Sequence, residues 1–157
     1  MSLIKNKGEL AILREGGKKL GQILRAVARI AKPNVRASDL NAHAEVLIKK
    51  AGGAPSFKNF GGKRNPFPAG LCVSVNDEVV HGIPLASKVL KDGDIVGLDL
   101  GMEYQGLYTD AAVTVGIGKI TKEKKRLIQT AENALRMAIK KTRAGIDLQE
   151  VCRAIQK

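Results

Sequence analysis

The spacing of apolar residues changes twice along the chain, and these changes limit the folds that the sequence can adopt. Up to residue 50, apolar side chains recur every three or four residues, the period of one face of an α-helix. Between residues 71 and 115 they form short runs that favour β-strands. After Thr121 the helical spacing returns. The sequence therefore predicts an α/β (α+β) chain in which helices flank a group of strands.

Two helices are predicted before residue 54. The first carries an apolar stripe from Leu10 to Ala31 and stops before Pro33, because proline disfavours helical geometry in the residue that precedes it. Ser38 is expected to cap the second helix, which ends at Gly52.

Two more helices are predicted near the C-terminus. Thr121 is expected to cap one that stops near Gly145, and Asp147 begins another. The last helix reaches Lys157 without a glycine, a proline or a loop that would end it. A start without a stop predicts a chain that is truncated at its C-terminus.

The net charge of +12 comes from the two ends of the chain. Residues 1–50 and residues 119–157 each hold 11 Lys or Arg against 4 Asp or Glu, whereas residues 51–118 hold 5 against 7. Solvated helical faces are one explanation for basic ends, and contact with RNA or the ribosome is the other. The charge pattern leaves both open.

Membrane and secretory signals are absent from the sequence. No apolar run approaches the ~20 residues of a membrane span, and the N-terminus lacks the apolar core of a secretory signal. Cys72 and Cys152 lie too far apart to form a metal knuckle. We therefore predict a reduced, cytoplasmic protein that does not bind a membrane.

A loop over residues 54–70 contains every phenylalanine of the chain. It is rich in glycine, proline and asparagine, which predict irregular structure. A loop that collects scarce aromatic residues either folds back on the core or lines a pocket. Both interpretations stay open at this stage.

Two strands with one aspartate each form the most informative chemical pattern. Extended stretches are predicted over residues 71–75, 79–81, 95–102 and 107–115. A hairpin centred between Tyr104 and Gln105 would set Asp99 opposite Asp110, and a bulge at Gly106 would shift the register by one.

Facing carboxylates in a strand pair need an explanation. Two buried carboxylates cannot both stay ionised cheaply, so either one keeps a proton or a cation lies between them. Hard divalent cations choose carboxylate oxygens. The alternative is a solvent-facing pair at a sheet edge. A third polar group, His81, precedes a Gly-Ile-Pro turn, where a lone histidine is more often structural than catalytic.

The order and spacing of several segments resemble the type I methionine aminopeptidases. These segments are residues 73–84 (Val-Ser-Val-Asn-Asp-Glu-Val-Val-His-Gly-Ile-Pro), residues 90–96, Asp99, residues 108–110 and residues 144–148. The resemblance implies that residues 1–157 are the N-terminal half of such a domain. It also implies half of a pita-bread fold, with helices on one face of a mostly antiparallel sheet and both aspartates on the other.

The resemblance also implies site residues. Asp99 would be a terminal ligand to one metal ion, and Asp110 would bridge two. His81 would contact the scissile amide, while Phe60, Phe67 and Cys72 would lie near the pocket for the methionine side chain.

The complete enzymes of this family use two divalent metal ions (Mn, Fe, Co or Zn) to remove methionine from the N-terminus of nascent peptides. Three further metal ligands belong to their second half, which this sequence lacks. The resemblance thus implies weak or single-ion occupancy and an inactive fragment. It also implies partners: a peptide bearing N-terminal methionine, proximity to the ribosome, and a homodimer formed through the exposed surface of the half-fold.

Two other functions remain as alternatives. One is a proline-directed peptidase with the same fold. The other is a non-catalytic pita-bread module that binds RNA or protein.

Overall fold

The computed structural model describes residues 6–62 and 64–156. The chain divides into two compact units, Met1–Lys119 and Ile120–Lys157. The first unit contains the sheet with two helices, and the second contains two helices.

Four antiparallel strands form the sheet of the first unit: β1 (Ala54–Pro55), β2 (Leu71–Val75), β3 (Ile95–Tyr104) and β4 (Leu107–Gly116). The long strand β3 pairs with β4 along one edge and with β2 and β1 along the other. This confirms the mostly antiparallel sheet.

The extended stretch predicted at residues 79–81 is not a strand. The backbone enters the left-handed region at Asn76 (φ 54°) and again at His81 (φ 56°), which regular strands do not tolerate. A ladder-like bond follows this segment, in which the Val73 N–H donates to the Gly82 carbonyl at 2.8 Å. The segment lies against β2 as an irregular connection.

Helix α1 (Lys7–Ile30) is capped at its start by a reciprocal pair of hydrogen bonds between Asn6 and Glu9. It ends at Ile30, ahead of Pro33, as predicted. Helix α2 (Ala37–Lys50) begins one residue before the expected cap, so the prediction that Ser38 caps it is wrong. Its start is held instead by the Ala37 N–H, which donates to the Lys88 carbonyl at 2.8 Å.

Alternate residues of β3 face opposite sides of the sheet. Beneath the helices lie the buried side chains, Val96, Leu98, Leu100, Met102 and Tyr104. Each fully buried aliphatic side chain contributes roughly 1.5–3 kcal/mol to folding. The intervening positions, among them Gly97, Asp99 and Gly101, point to the other side, which we call the open face. Helices on one side and aspartates on the other confirm the predicted fold class.

The second unit consists of α3 (Lys122–Lys141) and α4 (Leu148–Gln156), which pack against each other. Thr121 caps α3 as predicted, since its hydroxyl accepts from the Lys124 N–H at 3.3 Å. Asp147 accepts from the Gln149 N–H at 2.9 Å and so fixes the start of α4. Throughout the described ranges, no helix has the length and apolar character needed to cross a membrane.

Candidate metal centre

The β3–β4 hairpin brings both aspartates to the open face, in a register different from the one predicted. The closing pair is Tyr104 with Leu107, so the turn consists of Gln105 (φ 51°) and Gly106 (φ 79°). Two consecutive positive φ angles are the geometry of a type I′ turn, whose twist matches that of the strands. The centre of the hairpin therefore lies between residues 105 and 106, one residue beyond its predicted place.

The shift changes the direct partners but not the face. Asp99 lies opposite Ala112, and Asp110 lies opposite Gly101. Each residue of β3 therefore pairs two residues further along β4 than predicted. Because side chains alternate between the two faces with a period of two, both carboxylates still point to the same side. The prediction that Asp99 directly faces Asp110 is wrong, whereas the prediction that they share a face is confirmed.

Asp99 and Asp110 are close enough for their carboxyl groups to interact directly. The pKa of Asp99 is raised, first by burial, then by the negative charge of Asp110 and by a hydrogen bond between the two carboxyls. His81 opposes this shift through its charge. The arrangement is one in which a proton or a cation between the two carboxyls relieves their repulsion.

Cys72 lies beside the aspartates on the open face. It is the direct β2 partner of Asp99, and its side chain is buried. Burial, together with the charges of Asp99 and Asp110, raises the pKa of the Cys72 thiol to about 11. The thiol therefore stays protonated at neutral pH and acts as a small apolar group rather than as a nucleophile.

His81 is held in a left-handed conformation that its neighbours enforce. A Cβ on Gly82 would meet the Val73 carbonyl oxygen and would lie 2.8 Å from the Ser74 Cα, so only glycine fits against β2 there. The Gly82 N–H donates to the Ser74 hydroxyl at 3.1 Å. This close contact fixes the backbone immediately after His81.

An open pocket of about 220 Å³ lies on this face of the sheet. Its lining consists of Phe57, Phe60, Phe67, Cys72 and His81. The three residues that the resemblance implies near one pocket, Phe60, Phe67 and Cys72, share this lining, and His81 joins them there. Phe57 was missed, although it belongs to the same phenylalanine-rich loop and could have been included on that ground.

Backbone hydrogen bonds fold the phenylalanine loop into a compact wall. The Phe67 N–H donates to the Phe60 carbonyl at 2.7 Å, and the Asn59 N–H donates to the Phe67 carbonyl at 2.8 Å. At the C-terminal end of the loop, the Asn41 side-chain oxygen accepts from the N–H groups of Gly70 and Leu71 at 2.9 and 3.0 Å. The loop is thus tied to α2.

Gly101 allows this wall to lie directly on the sheet. A Cβ at this position would meet the Ser56 hydroxyl and would lie 2.5 Å from Cε1 of Phe57. The Ser56 N–H also donates to the Gly101 carbonyl at 3.1 Å. Because Gly101 is the strand partner of Asp110, the aromatic wall lies next to the carboxylate pair. A second open pocket, of about 420 Å³, shares Phe57 and Phe60 and adds Ser56 and Tyr108.

The donor set fits part of a divalent metal site. Two carboxylates in contact supply hard oxygen ligands of the kind that Mn²⁺, Mg²⁺ and Zn²⁺ accept. Over residues 6–62 and 64–156, however, no group of three or more His, Cys, Asp or Glu side chains is placed to hold a metal ion. Within those residues, the candidate donors on the open face are the two carboxylates of Asp99 and Asp110.

Comparison with known proteins gives one family match and several close relatives. Residues 11–157 match metallopeptidase family M24. The chain is 40% identical to the methionine aminopeptidase of Clostridium acetobutylicum and 38% identical to methionine aminopeptidase 1 of Bacillus subtilis. These matches cover 100% and 99% of the chain, and the chain spans 61% of each relative.

Solved structures give the same result. The crystal structure of methionine aminopeptidase from Thermotoga maritima superposes with a TM-score of 0.93 at 40% identity, over 99% of this chain and 61% of that one. Prolidase from Pyrococcus furiosus superposes with a TM-score of 0.84 at 20% identity, over 98% of this chain and 43% of that one. The second likeness shows a shared fold alone.

Proposed function

The chain belongs to metallopeptidase family M24, and on that premise we propose that its open face is the N-terminal half of a methionine aminopeptidase active site. The complete enzyme would remove methionine from the N-terminus of nascent peptides. One observation carries the proposal: two interacting carboxylates, Asp99 and Asp110, lie beside an apolar pocket that has His81 on its wall.

Asp99 and Asp110 would hold the divalent ions, Asp99 as a terminal ligand and Asp110 as a bridge between two. Mn, Fe, Co and Zn all accept such oxygen ligands. When bound, the ions supply Lewis acidity toward the scissile carbonyl and a water nucleophile at neutral pH. Burial and the charge of Asp110 oppose ionisation of Asp99, and a bound cation would relieve both.

The apolar pocket would receive the methionine side chain. A thioether is flexible and polarisable, and it packs favourably against aromatic rings. Phe60, Phe67 and Cys72 supply such a lining, and we add Phe57. The protonated Cys72 thiol keeps a charge out of the pocket. His81, on the same wall, would hydrogen bond the scissile amide.

The chain on its own would have little activity. Two carboxylates are too few to hold two ions firmly, because carboxylate-bound divalent ions take more ligands than that. A misplacement of about 1 Å can cost ~100-fold in rate. We therefore expect the 157-residue chain alone to be inactive, with at most one weakly held ion.

A chimera tests the proposed function. This chain would replace the matching 61% of the Clostridium acetobutylicum methionine aminopeptidase. We expect the purified chimera to release methionine from Met-Ala-Ser in the presence of Mn²⁺ or Co²⁺. The Asp110→Asn variant should lose at least ~100-fold, since a metal ligand disappears while the side-chain volume stays.

The matched control is Asp77→Asn, an exposed aspartate in the turn after β2 that should leave the rate unchanged. A folded chimera that shows no methionine release would contradict the proposal. A panel of dipeptides separates the proline-directed alternative. Faster cleavage before proline than after N-terminal methionine would favour that alternative.

Self-association through exposed apolar side chains is also proposed. In the first unit Val79 is 90% exposed and Val80 is 65% exposed, and Ile83 and Leu85 are exposed nearby. Exposed apolar clusters favour association, and a twofold dimer buries one such surface on both subunits. A dimer that brings the aspartates of both chains together should tighten with Mn²⁺ in sedimentation. A monomer at high micromolar concentration in both conditions contradicts this.

The remaining partners follow from the proposed activity. The substrate would be a peptide that carries N-terminal methionine, and such peptides arise at the ribosome in the cytoplasm. We therefore propose a cytoplasmic enzyme that works near the ribosome.

A further inference from the structure

The outer side of α1 carries a row of cations that nothing in the proposed active site uses. The helix buries Leu20, Leu24 and Val27 against the sheet. On its opposite side it exposes five basic side chains, which we call the cationic stripe: Lys7, Arg14, Lys18, Arg25 and Arg29.

The stripe is straight and follows the helical repeat. Its members are separated by seven, four, seven and four residues. At 100° per residue these positions fall within an arc of about 60°, centred roughly opposite Leu20. The rise of 1.5 Å per residue makes the stripe about 33 Å long.

No carboxylate interrupts the stripe. Of the two acids of α1, Glu9 belongs to the cap with Asn6. Glu15 accepts from the Tyr104 hydroxyl at 2.9 Å and lies 3.1 Å from the Lys19 ammonium. The salt bridges found over residues 6–62 and 64–156 include none of the five stripe cations. These cations are therefore available to a partner.

The spacing of the stripe cations also places like charges next to each other in the unbound chain. Arg14 and Lys18, like Arg25 and Arg29, are like-charged pairs four residues apart, and such pairs repel each other on an exposed helix. A polyanion that lies along the stripe removes this repulsion and releases its own counterions. Charge complementarity therefore favours a partner with a regular row of negative charges.

We propose that the cationic stripe of α1 binds the phosphate backbone of duplex RNA. A duplex presents phosphates at short, regular intervals over a length that matches the stripe. The exposed positions beside the cations include Ala11, Gln22 and, at one edge, Leu10. With no aromatic ring among them, the stripe cannot stack unpaired bases, which is how single strands are usually held.

Two other anionic surfaces fit less well. An amphipathic helix binds an anionic membrane by inserting its apolar side, but the apolar side of α1 is buried on the sheet. B-form DNA has a major groove about 12 Å wide, so the phosphate rows on its two sides lie too far apart for a narrow stripe to contact both. The A-form major groove is narrow, so its two phosphate rows lie close enough for one flat stripe to bridge them.

An RNA-binding measurement tests the proposal. The 157-residue chain is titrated onto a mixed-sequence RNA duplex of about 20 base pairs, and binding is followed by fluorescence anisotropy at several salt concentrations. The variant Lys18→Gln/Arg25→Gln/Arg29→Gln removes three stripe cations. We expect affinity to fall at least tenfold at low salt. The slope of log K against log salt should shrink by up to about 2.7, because each phosphate contact contributes about 0.9.

The matched control removes one Lys and two Arg from exposed positions of α3: Lys122→Gln/Arg126→Gln/Arg136→Gln. It lowers the net charge equally, so the proposal requires it to bind RNA nearly as well as the parent. Circular dichroism should show that each variant keeps the helix content of the parent chain. Equal losses in both variants would mean diffuse attraction and would overturn the proposal. So would equal or tighter binding to B-form DNA, to a single strand or to phosphatidylserine vesicles. None of these variants touches the aspartate site, so the outcome is independent of the chimera assay.

Discussion

The carboxyl groups of Asp99 and Asp110 interact across two neighbouring strands although neither residue is the other's strand partner. Their partners are Ala112 and Gly101, so the carboxyls reach each other diagonally across the open face. Diagonal neighbours on a sheet are ~7–8 Å apart, within reach of side chains that lean together. The diagonal arrangement places Gly101, rather than a second carboxylate, opposite Asp110, and Gly101 lies against Phe57.

Asp99→Asn should stabilise the metal-free chain at pH 7. The pKa of Asp99 is raised in the fold. At a pH above that pKa, Asp99 is ionised, and both burial and the negative charge of Asp110 oppose this charge. Removing a like-charge contact across strands gains up to about 1 kcal/mol, which corresponds to a rise of about 2–4 °C in Tm for a chain of this size.

The stability difference between Asp99→Asn and the parent should depend on pH, and the raised pKa of Asp99 fixes the direction of that dependence. An acid with a raised pKa in the fold destabilises it at neutral pH, and this penalty disappears as pH falls through that pKa toward the unfolded value near ~3.9. The advantage of Asp99→Asn should therefore shrink between pH 7 and pH 4. Asp77→Asn is the control with no such advantage. An Asp99→Asn variant less stable than the parent at pH 7 would show that the carboxyls do not oppose each other.

Gly101→Ala should loosen the aromatic wall. Its Cβ collides with Ser56 and Phe57, and overpacking of this kind costs typically 1–3 kcal/mol. Gly97→Ala is a close control, because it lies on the same strand and the same side, where the nearest atom would be at 3.7 Å. Urea unfolding should show a clear loss for Gly101→Ala and little change for Gly97→Ala. Equal changes would mean that the wall does not rest on Gly101.

Position 81 should prefer glycine to a β-branched residue. A non-glycine residue in the left-handed region costs about 1–2 kcal/mol, and β-branched side chains tolerate it least. We expect His81→Val to be less stable than His81→Gly by about 1 kcal/mol in urea unfolding. At His43, inside α2, the order should reverse, since glycine is the worse helix former. The same order at both positions would argue against the left-handed backbone at His81.

Period-based features of the fold could be predicted from the sequence. The helical stripe of α1, the cap at Thr121 and the common face of Asp99 and Asp110 all depend on spacing or on local side-chain chemistry. The shared face survived a wrong register because a shift of two in pairing preserves the alternation of side chains.

Features set by tertiary contacts could not be predicted. The start of α2 depends on Lys88, which is distant in sequence, and no pattern near Ser38 reports it. The conformation of His81 depends on the contact of Gly82 with β2. The register of the hairpin depended on which two residues form the turn, and Gln105 is not a usual choice for a positive φ. The roles of His81, Phe60, Phe67 and Cys72 stay predictions.

Calorimetric titration of the 157-residue chain with Mn²⁺ tests the central claim most directly, because that claim assigns the chain two metal ligands and no more. We predict at most one weak site per chain, lost in Asp110→Asn and retained in Asp77→Asn. Two tight sites per chain, or binding that survives Asp110→Asn unchanged, would contradict the assignment of Asp99 and Asp110 as half of a metal centre.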